Sequence, residues 1–333
     1  MASTSDASSS DDVRWVGVDL GGTWTRVVLS DDKGNFVERI DEKVDKGSAT
    51  AISRQIVRIT RFLLDKHGLA ARGLSGVGIA SAGPMIQNEG VLMKPPNIPF
   101  DAVPLTKPIS KELGIPVYLI NDCAGAALGE SMFGAAKEED NFVYVTISTG
   151  IGCGAIINGN LSLGKDGNAH EVGHFVIDYQ GKLKCGCGRR GHWEAYCSGR
   201  NIPNFVRMRL EQMPPERTKQ SLLYIRFHRD FSKLMAADLF AAAKEHDEIS
   251  LKLVKELGVL NAAGFATIVN AYDPALITVG GTVTLENQEM IIPPVRKHVK
   301  DYALNRVPKI LVTPLRGDVC LYGAVAAAMK YLS

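Results

Sequence analysis

Three times in this chain an apolar segment runs into a glycine-rich turn. Residues 15–18 lead into Asp19-Leu20-Gly21-Gly22-Thr23, residues 142–147 into Ser148-Thr149-Gly150-Ile151-Gly152-Cys153-Gly154, and residues 276–279 into Gly280-Gly281-Thr282. Short apolar runs closed by turn residues read as buried strands. In open α/β sheets ligands sit beyond the carboxyl ends of the strands, where these turns fall. The first two turns are each followed by another strand, over 25–29 and 155–157, so the chain holds two copies of strand, glycine turn, strand. Laid over one another, Asp19 falls on Thr146 and Thr23 on Gly150, with negligible identity. The repeat is one of pattern, and it predicts a duplicated α/β fold with a cleft between the halves.

The remaining segments fit that frame. Asp31-Asp32-Lys33-Gly34-Asn35 has hairpin chemistry ahead of a return strand over 36–40. Residues 49–69 carry Ile52, Ile56, Ile59, Leu63 and Leu64 at helical spacing. Strands over 77–80 and 117–120 end at Ser81-Ala82-Gly83-Pro84 and Asn121-Asp122, and the Ala/Gly-rich stretch after Asp122 reads as a helix. Helices are also expected over 250–272 and 319–331. At roughly 100–200 residues per domain, 333 residues suggest two domains. The boundaries expected are a disordered Ser- and Asp-rich tail over 1–12, a smaller domain over 13–122 completed by helix 319–333, and a larger domain over 123–318.

Composition narrows the function classes. A formal net charge of +2 argues against a dedicated nucleic-acid binder. No run of about 18 apolar residues suggests a membrane span. The tail has no apolar core of a signal peptide, and six cysteines are too few for a disulfide scaffold, so a cytoplasmic protein is expected.

Each chemical motif has a competing reading. The turn Asp19–Thr23, continuing to Trp24-Thr25-Arg26, lets backbone N–H groups approach phosphate beside hydroxyls, a cation and a carboxylate able to hold Mg²⁺; it is also a plain hairpin turn. No G-x-x-x-x-G-K-[ST] run exists, which excludes a P-loop. Asp122 could take a proton from an attacking hydroxyl, or with Asn121 simply cap a helix. His170-Glu171-Val172-Gly173-His174 matches the zinc-protease signature, which requires a helix. Here Gly173 interrupts it, Gly164 and Gly167 precede it, and residues 175–177 look like a strand. Gly186-Cys187-Gly188-Arg189-Arg190-Gly191 matches G-x-G-x-x-G but follows no apolar strand, so the dinucleotide reading fails. His174, Cys185, Cys187 and His192 form the better metal set, a closed four-ligand structural zinc site within a knuckle over 174–192. Cys197 reads as a core residue of a helix. Residues 200–233 hold eight basic and three acidic side chains, read as a solvated helical excursion.

Taken together and in this order, these stretches, with Pro96-Asn97-Ile98-Pro99 and Glu194, resemble the ROK family (repressor, open reading frame, kinase) from Trp15 to the end of the chain. The resemblance implies a two-domain actin/hexokinase-like (ribonuclease-H-like) fold and ATP-dependent phosphorylation of a hexose. By that resemblance Asp122 is the catalytic base. Asp19, Gly21, Gly22 and Thr23 form the first phosphate loop, Thr149, Gly150 and Gly152 the second, and Gly280, Gly281 and Thr282 the adenosine segment. Gly83, Asn97, Asn121, Asp122, Glu171, His174 and Glu194 fall on sugar-binding positions, His174 serving also as a zinc ligand. ATP, Mg²⁺ and a structural Zn²⁺ are implied, with a homodimer or tetramer. The sequence departs from the family at His192, usually Cys, at His170, often Gly, and at Ala124, often Asn. Glucose is the expected sugar, with an N-acetylhexosamine as the alternative. A non-catalytic sugar-binding regulator is a further class. The repressor branch is disfavoured because only eighteen polar-rich residues precede Asp19.

Overall fold

The computed structural model describes residues 13–333 except Asp166 and Arg229; the expected tail over 1–12 lies outside the described residues. The chain divides into two units. One holds the residues up to Glu138, Asn160–Ala169 and Asp318–Ser333, and the other holds Glu139–Gly159 and His170–Gly317.

The first unit begins with three strands, β1 (Val13–Leu20), β2 (Trp24–Asp31) and β3 (Phe36–Lys43), followed by helix α1 (Ala49–Lys66). Ser48 caps α1 by accepting from the Ala51 N–H, and Ile52, Ile56, Ile59, Leu63 and Leu64 all face inward. Then come β4 (Gly76–Ser81), a small three-stranded sheet of β5 (Met85–Ile86), β6 (Val91–Met93) and β7 (Ala102–Pro104), helix α2 (Thr106–Leu113), β8 (Val117–Asn121) and α3 (Asp122–Met132). The main sheet has the order β3-β2-β1-β4-β8. Its first three strands are antiparallel, whereas β1, β4 and β8 run parallel. Every residue of β4 is buried, as a strand covered on both faces requires.

The second unit repeats the plan. Strands β9 (Phe142–Ile147) and β10 (Ile151–Ile157) form an antiparallel pair. The chain then returns to the first unit with the two-residue β11 (Asn160–Leu161). Helices α4 (Glu194–Cys197), α5 (Ile202–Glu211), α6 (Pro215–Thr218), α7 (Leu222–Phe227), α8 (Ala236–Lys244) and α9 (Glu248–Tyr272) precede the fully buried β12 (Leu276–Gly280). After α10 (Thr282–Glu286) and α11 (Gln288–His298), β13 (Lys309–Val312) completes the sheet. β12 lies parallel to both β9 and β13, so the four strands run β10-β9-β12-β13. Its core gathers around Trp193 and Phe265, and the indole N–H donates to Asn261 Oδ1 at 2.8 Å.

The last helix, α12 (Val319–Leu332), belongs to the first unit and packs on α3, β1 and β4. Contact there is backbone to backbone. A Cβ at Gly78 would stand 1.8 Å from the Ala324 carbonyl oxygen, and one at Gly323 2.2 Å from the Gly125 carbonyl carbon. Only glycine permits such an approach. Because α3 is held against α12, the first unit extends to Glu138 rather than ending at 122.

Two expectations about local structure need correction. Residues 175–177 do not form a strand: Val176 makes one isolated bridge to His192, and the turn Val172–His174 before it is 3-10. The basic segment is helical but not merely solvated, since Arg209 pairs with Glu256 at 2.6 Å and Arg226 with Glu245 at 2.5 Å. Cys197 is buried at the end of α4, as its helical context suggested.

Candidate functional site

In the first unit the candidate residues collect beyond the carboxyl ends of β1, β4 and β8. Leu20 pairs with Ser81 across β1 and β4, and Ser81 pairs with Asn121 across β4 and β8, so the three strands end in register. Ser81 Oγ donates to the Leu20 carbonyl at 2.8 Å and ties the first two ends together. The turn after β1 is closed by the Gly21 N–H donating to the Trp24 carbonyl at 3.0 Å. Gly22 lies against Asn97 and the Pro96 carbonyl, which places Asn97 beside the first glycine loop. Asn97 is left-handed, with φ 63°. Gly83, in a cis bond to Pro84, lies near the Asn121 amide. Thr23 is exposed.

Asn121 and Asp122 divide the work that the sequence left undivided. Asn121 is the N-cap of α3: its Oδ1 accepts from the Cys123 N–H at 2.9 Å and the Ala124 N–H at 3.1 Å. Asp122 is the first helical residue, and its Oδ1 also accepts from the Cys123 N–H, at 2.9 Å. The cap is therefore supplied without Asp122.

Asp19 lies close enough to Asp122 for the two carboxylates to repel each other. Burial pushes the Asp19 carboxyl above its ordinary value, opposed by Arg26, whose Nη1 donates to Asp19 Oδ2 at 2.6 Å. Arg26 also approaches Asp41 at 3.6 Å, and Asp41 is paired with Arg39 at 2.6 Å. The motif contained Arg26, but nothing local marked it as the partner of Asp19. The two are seven residues apart on antiparallel strands and face each other in the β1–β2 register.

In the second unit the other two glycine turns meet at the ends of β9 and β12. Ser148 Oγ donates to Thr282 Oγ1 at 3.5 Å. Gly281 has φ 87°, and a Cβ there would stand 2.4 Å from the Ile147 carbonyl oxygen, so the third turn rests on the end of β9. Thr149, Gly150, Gly280, Gly281 and Thr282 are thus brought together. Gly152 lies within β10, paired with Thr146, rather than in the turn itself.

Glu194 joins this loop to the cysteine knuckle. Its Oε2 accepts from the Ile151 N–H at 3.0 Å, and its Oε1 accepts from Cys185 Sγ at 3.4 Å. The ligand atoms of His174, Cys185, Cys187 and His192 all lie within 4.8 Å of one another. Cys185 Sγ is 3.8 Å from His174 Nδ1 and Cys187 Sγ is 3.4 Å from His192 Nδ1. A tetrahedral zinc with ordinary Zn–S and Zn–N bonds needs sulfur and nitrogen roughly 3.6 Å apart, so the donor set fits. Burial and the neighbouring His174 hold the His192 imidazole below its usual value, in the neutral form that ligates. Burial pushes the Cys185 thiol up to about 12 in the absence of a cation.

His174 presents two edges: Nδ1 turns to the cluster, and Nε2 lies 3.7 Å from Glu171 Oε2. The protease-like signature is not helical, because His170 is left-handed at φ 68° and Val172–His174 forms a 3-10 turn. His170 does not join the cluster; its Nδ1 is 2.9 Å from the Tyr272 hydroxyl, a contact across 102 residues that no motif announced.

Comparison with known proteins agrees with this arrangement. The profile described as "ROK family" matches residues 15–329. A glucokinase from Pyrobaculum calidifontis is 34% identical over 317 residues, covering 95% of this chain and 95% of that protein. Among solved structures, a ROK hexokinase from Thermus thermophilus superposes with a TM-score of 0.77 at 26% identity, covering 95% of this chain and 98% of that one. A ROK family glucokinase from Streptomyces griseus, in complex with glucose and AMPPNP, gives 0.76 at 28% identity, covering 95% and 99%.

Proposed function

Because this chain belongs to the ROK family, we propose that it is an ATP-dependent hexose kinase acting on the 6-hydroxyl of glucose. The observation that carries the reading is the gathering of Asp19, Asn97, Asn121 and Asp122 at one sheet end in a chain that aligns over 95% of its length with a glucokinase.

In this reading the Asp122 carboxylate accepts the proton of the sugar hydroxyl as its oxygen attacks the γ-phosphorus of ATP. The bond from that phosphorus to the bridging oxygen breaks, and ADP leaves with the electron pair. Asn121, by capping α3, fixes the backbone from which Asp122 projects. Asn97, Gly83, Glu171, His174 and Glu194 bind sugar hydroxyls. Gly21, Gly22 and Thr23, with Thr149, Gly150 and Gly152, offer N–H and hydroxyl donors to the polyphosphate, while Gly280, Gly281 and Thr282 receive the adenosine. Asp19 would hold Mg²⁺, which neutralises phosphate charge when bound. His174, Cys185, Cys187 and His192 would hold a structural zinc that fixes the knuckle and, through His174, one wall of the sugar site.

Among the described residues no helix is long and apolar enough to cross a membrane. A cytoplasmic homo-oligomer is the setting this reading adopts. The test is coupled ADP release with Mg-ATP against glucose, mannose, fructose, N-acetylglucosamine and N-acetylmannosamine. Turnover dependent on glucose is expected. Turnover with only an acetylated sugar would overturn the choice of glucose, and none with any sugar would overturn the kinase reading.

A further inference from the structure

Glu171 is held in an unusual way. Its backbone has φ −70° and ψ 54°, and the Val172 N–H donates to the His170 carbonyl at 2.7 Å. These are the marks of an inverse γ-turn with Glu171 at its apex. The side chain is 64% exposed and meets His174 Nε2 at 3.7 Å, and its starting direction is set by the turn that carries it. On the far side the turn is anchored by buried Val172 and by Gly173, which passes directly over the Ile151 carbonyl. On the near side stands His170, at φ 68°, a conformation costly for a residue with a Cβ.

That conformation has a local counterpart. The His170 ring meets Tyr272, the last residue of α9, edge to face with centroids 5.2 Å apart, and Nδ1 lies 2.9 Å from the phenolic oxygen. Partial burial beside Cys153 pushes the Tyr272 hydroxyl up to about 12, so it stays protonated and can donate to the imidazole. Both residues belong to the second unit, and Tyr272 is fixed at the end of the long helix.

We infer that His170 and Tyr272 are positioning residues for sugar binding: their contact fixes the γ-turn from which Glu171 reaches the sugar. The inference rests on the kinase reading and deepens it. A glycine at position 170 would ease the backbone yet give up the tie to α9 that His170 makes here.

The variants follow from the chemistry. His170→Gly removes the contact but tolerates the left-handed φ. Tyr272→Phe removes only the hydroxyl. His170→Asn tolerates the same φ and places its amide Oδ1 where Nδ1 stood. If a net hydrogen bond is lost from the positioning of Glu171, the KM for glucose and the calorimetric Kd for glucose without nucleotide rise about tenfold in His170→Gly and Tyr272→Phe. The kcat and the KM for ATP stay within about twofold of wild type, and the double variant is no worse than His170→Gly alone, because the hydroxyl that Tyr272→Phe removes has then already lost its imidazole partner. His170→Asn retains glucose affinity. Zinc content and melting temperature are measured alongside.

Unchanged glucose affinity in folded His170→Gly overturns the inference, as does a parallel loss of kcat and of both substrate affinities. Absence of sugar-dependent turnover in wild type is a separate result, which removes the kinase reading itself.

Discussion

Arg26 donates to Asp19 at 2.6 Å across the β1–β2 register, with Asp19 12% and Arg26 30% exposed at their side chains. Burial alone would favour a neutral Asp19, and the guanidinium is what opposes it. Arg26→Ala should therefore destabilise the protein by about 2 kcal/mol, less than a fully buried pair because Arg26 retains some water. Denaturant melts read this directly. Arg26→Lys should recover only part of the loss, since an ammonium cannot also reach toward Asp41 with a planar fork.

Asp122→Ala should lower kcat by about 10²–10⁴ with little change in stability, because Asn121 supplies the helix cap. Asn121→Ala should do the reverse in part, costing about 1 kcal/mol of stability through two lost acceptor contacts. Comparing melts with saturated turnover rates separates the two effects. Equal losses of stability in both variants would return Asp122 to a capping role.

Removal of metal should lower the melting temperature. Chelator treatment followed by elemental analysis is expected to release about one zinc per chain, and Cys187→Ser should lose it without a chelator. His192→Cys should retain it. A zinc-free preparation that melts at the same temperature would contradict the assignment.

Acid should weaken the β3 side of the first sheet. Arg39 holds Asp41 below its ordinary 3.8, and Arg58 holds Glu42 below 4.5. Folded values below unfolded ones mean that this stabilisation is complete above about pH 4.5 and disappears as the pH falls through the folded values. Melts from pH 7 to pH 3 should show the decline, and Arg39→Met should make it shallower. Arg58 is 61% exposed, so Arg58→Met should matter less.

Gly78→Ala should cost at least roughly 1–3 kcal/mol, because its Cβ meets the α12 backbone rather than a movable side chain. Gly73→Ala, with open space around it and no positive φ, is the control and should be neutral. Equal melting temperatures for the two would refute the close packing of α12.

What could be read from the sequence was whatever leaves a local trace. The 15–18 and 276–279 runs are buried strands whose apolar residues sit beside turn glycines, and Ile52 through Leu64 mark α1 by their spacing. The small sheet of β5, β6 and β7 left none, because strands of two or three residues carry no periodicity. Helix α11 contains Pro293 and Pro294, which argue locally against a helix and are outweighed by its packing on α9. The strand expected at 175–177 had apolar residues but no partner beyond one bridge. Within the candidate site, the glycine turns and the knuckle were visible as motifs. The pairing of Arg26 with Asp19 depends on strand register, and that of His170 with Tyr272 on tertiary folding, so neither could be read from spacing.

The return of α12 to the first unit has a consequence for the order in which the molecule is made. β1 and β4 leave the ribosome early, but the helix that covers their glycine-rich face is the last described element. At about 5–20 residues per second, about fifteen to sixty seconds separate the two events. During that time the first sheet keeps a bare face bearing Trp15, Gly17, Val28 and Gly78, while the second unit, whose segments end at Gly317, has all its parts. The half synthesised first is therefore the half completed last, and a nascent chain halted before 319 holds a finished second unit attached to an unfinished first.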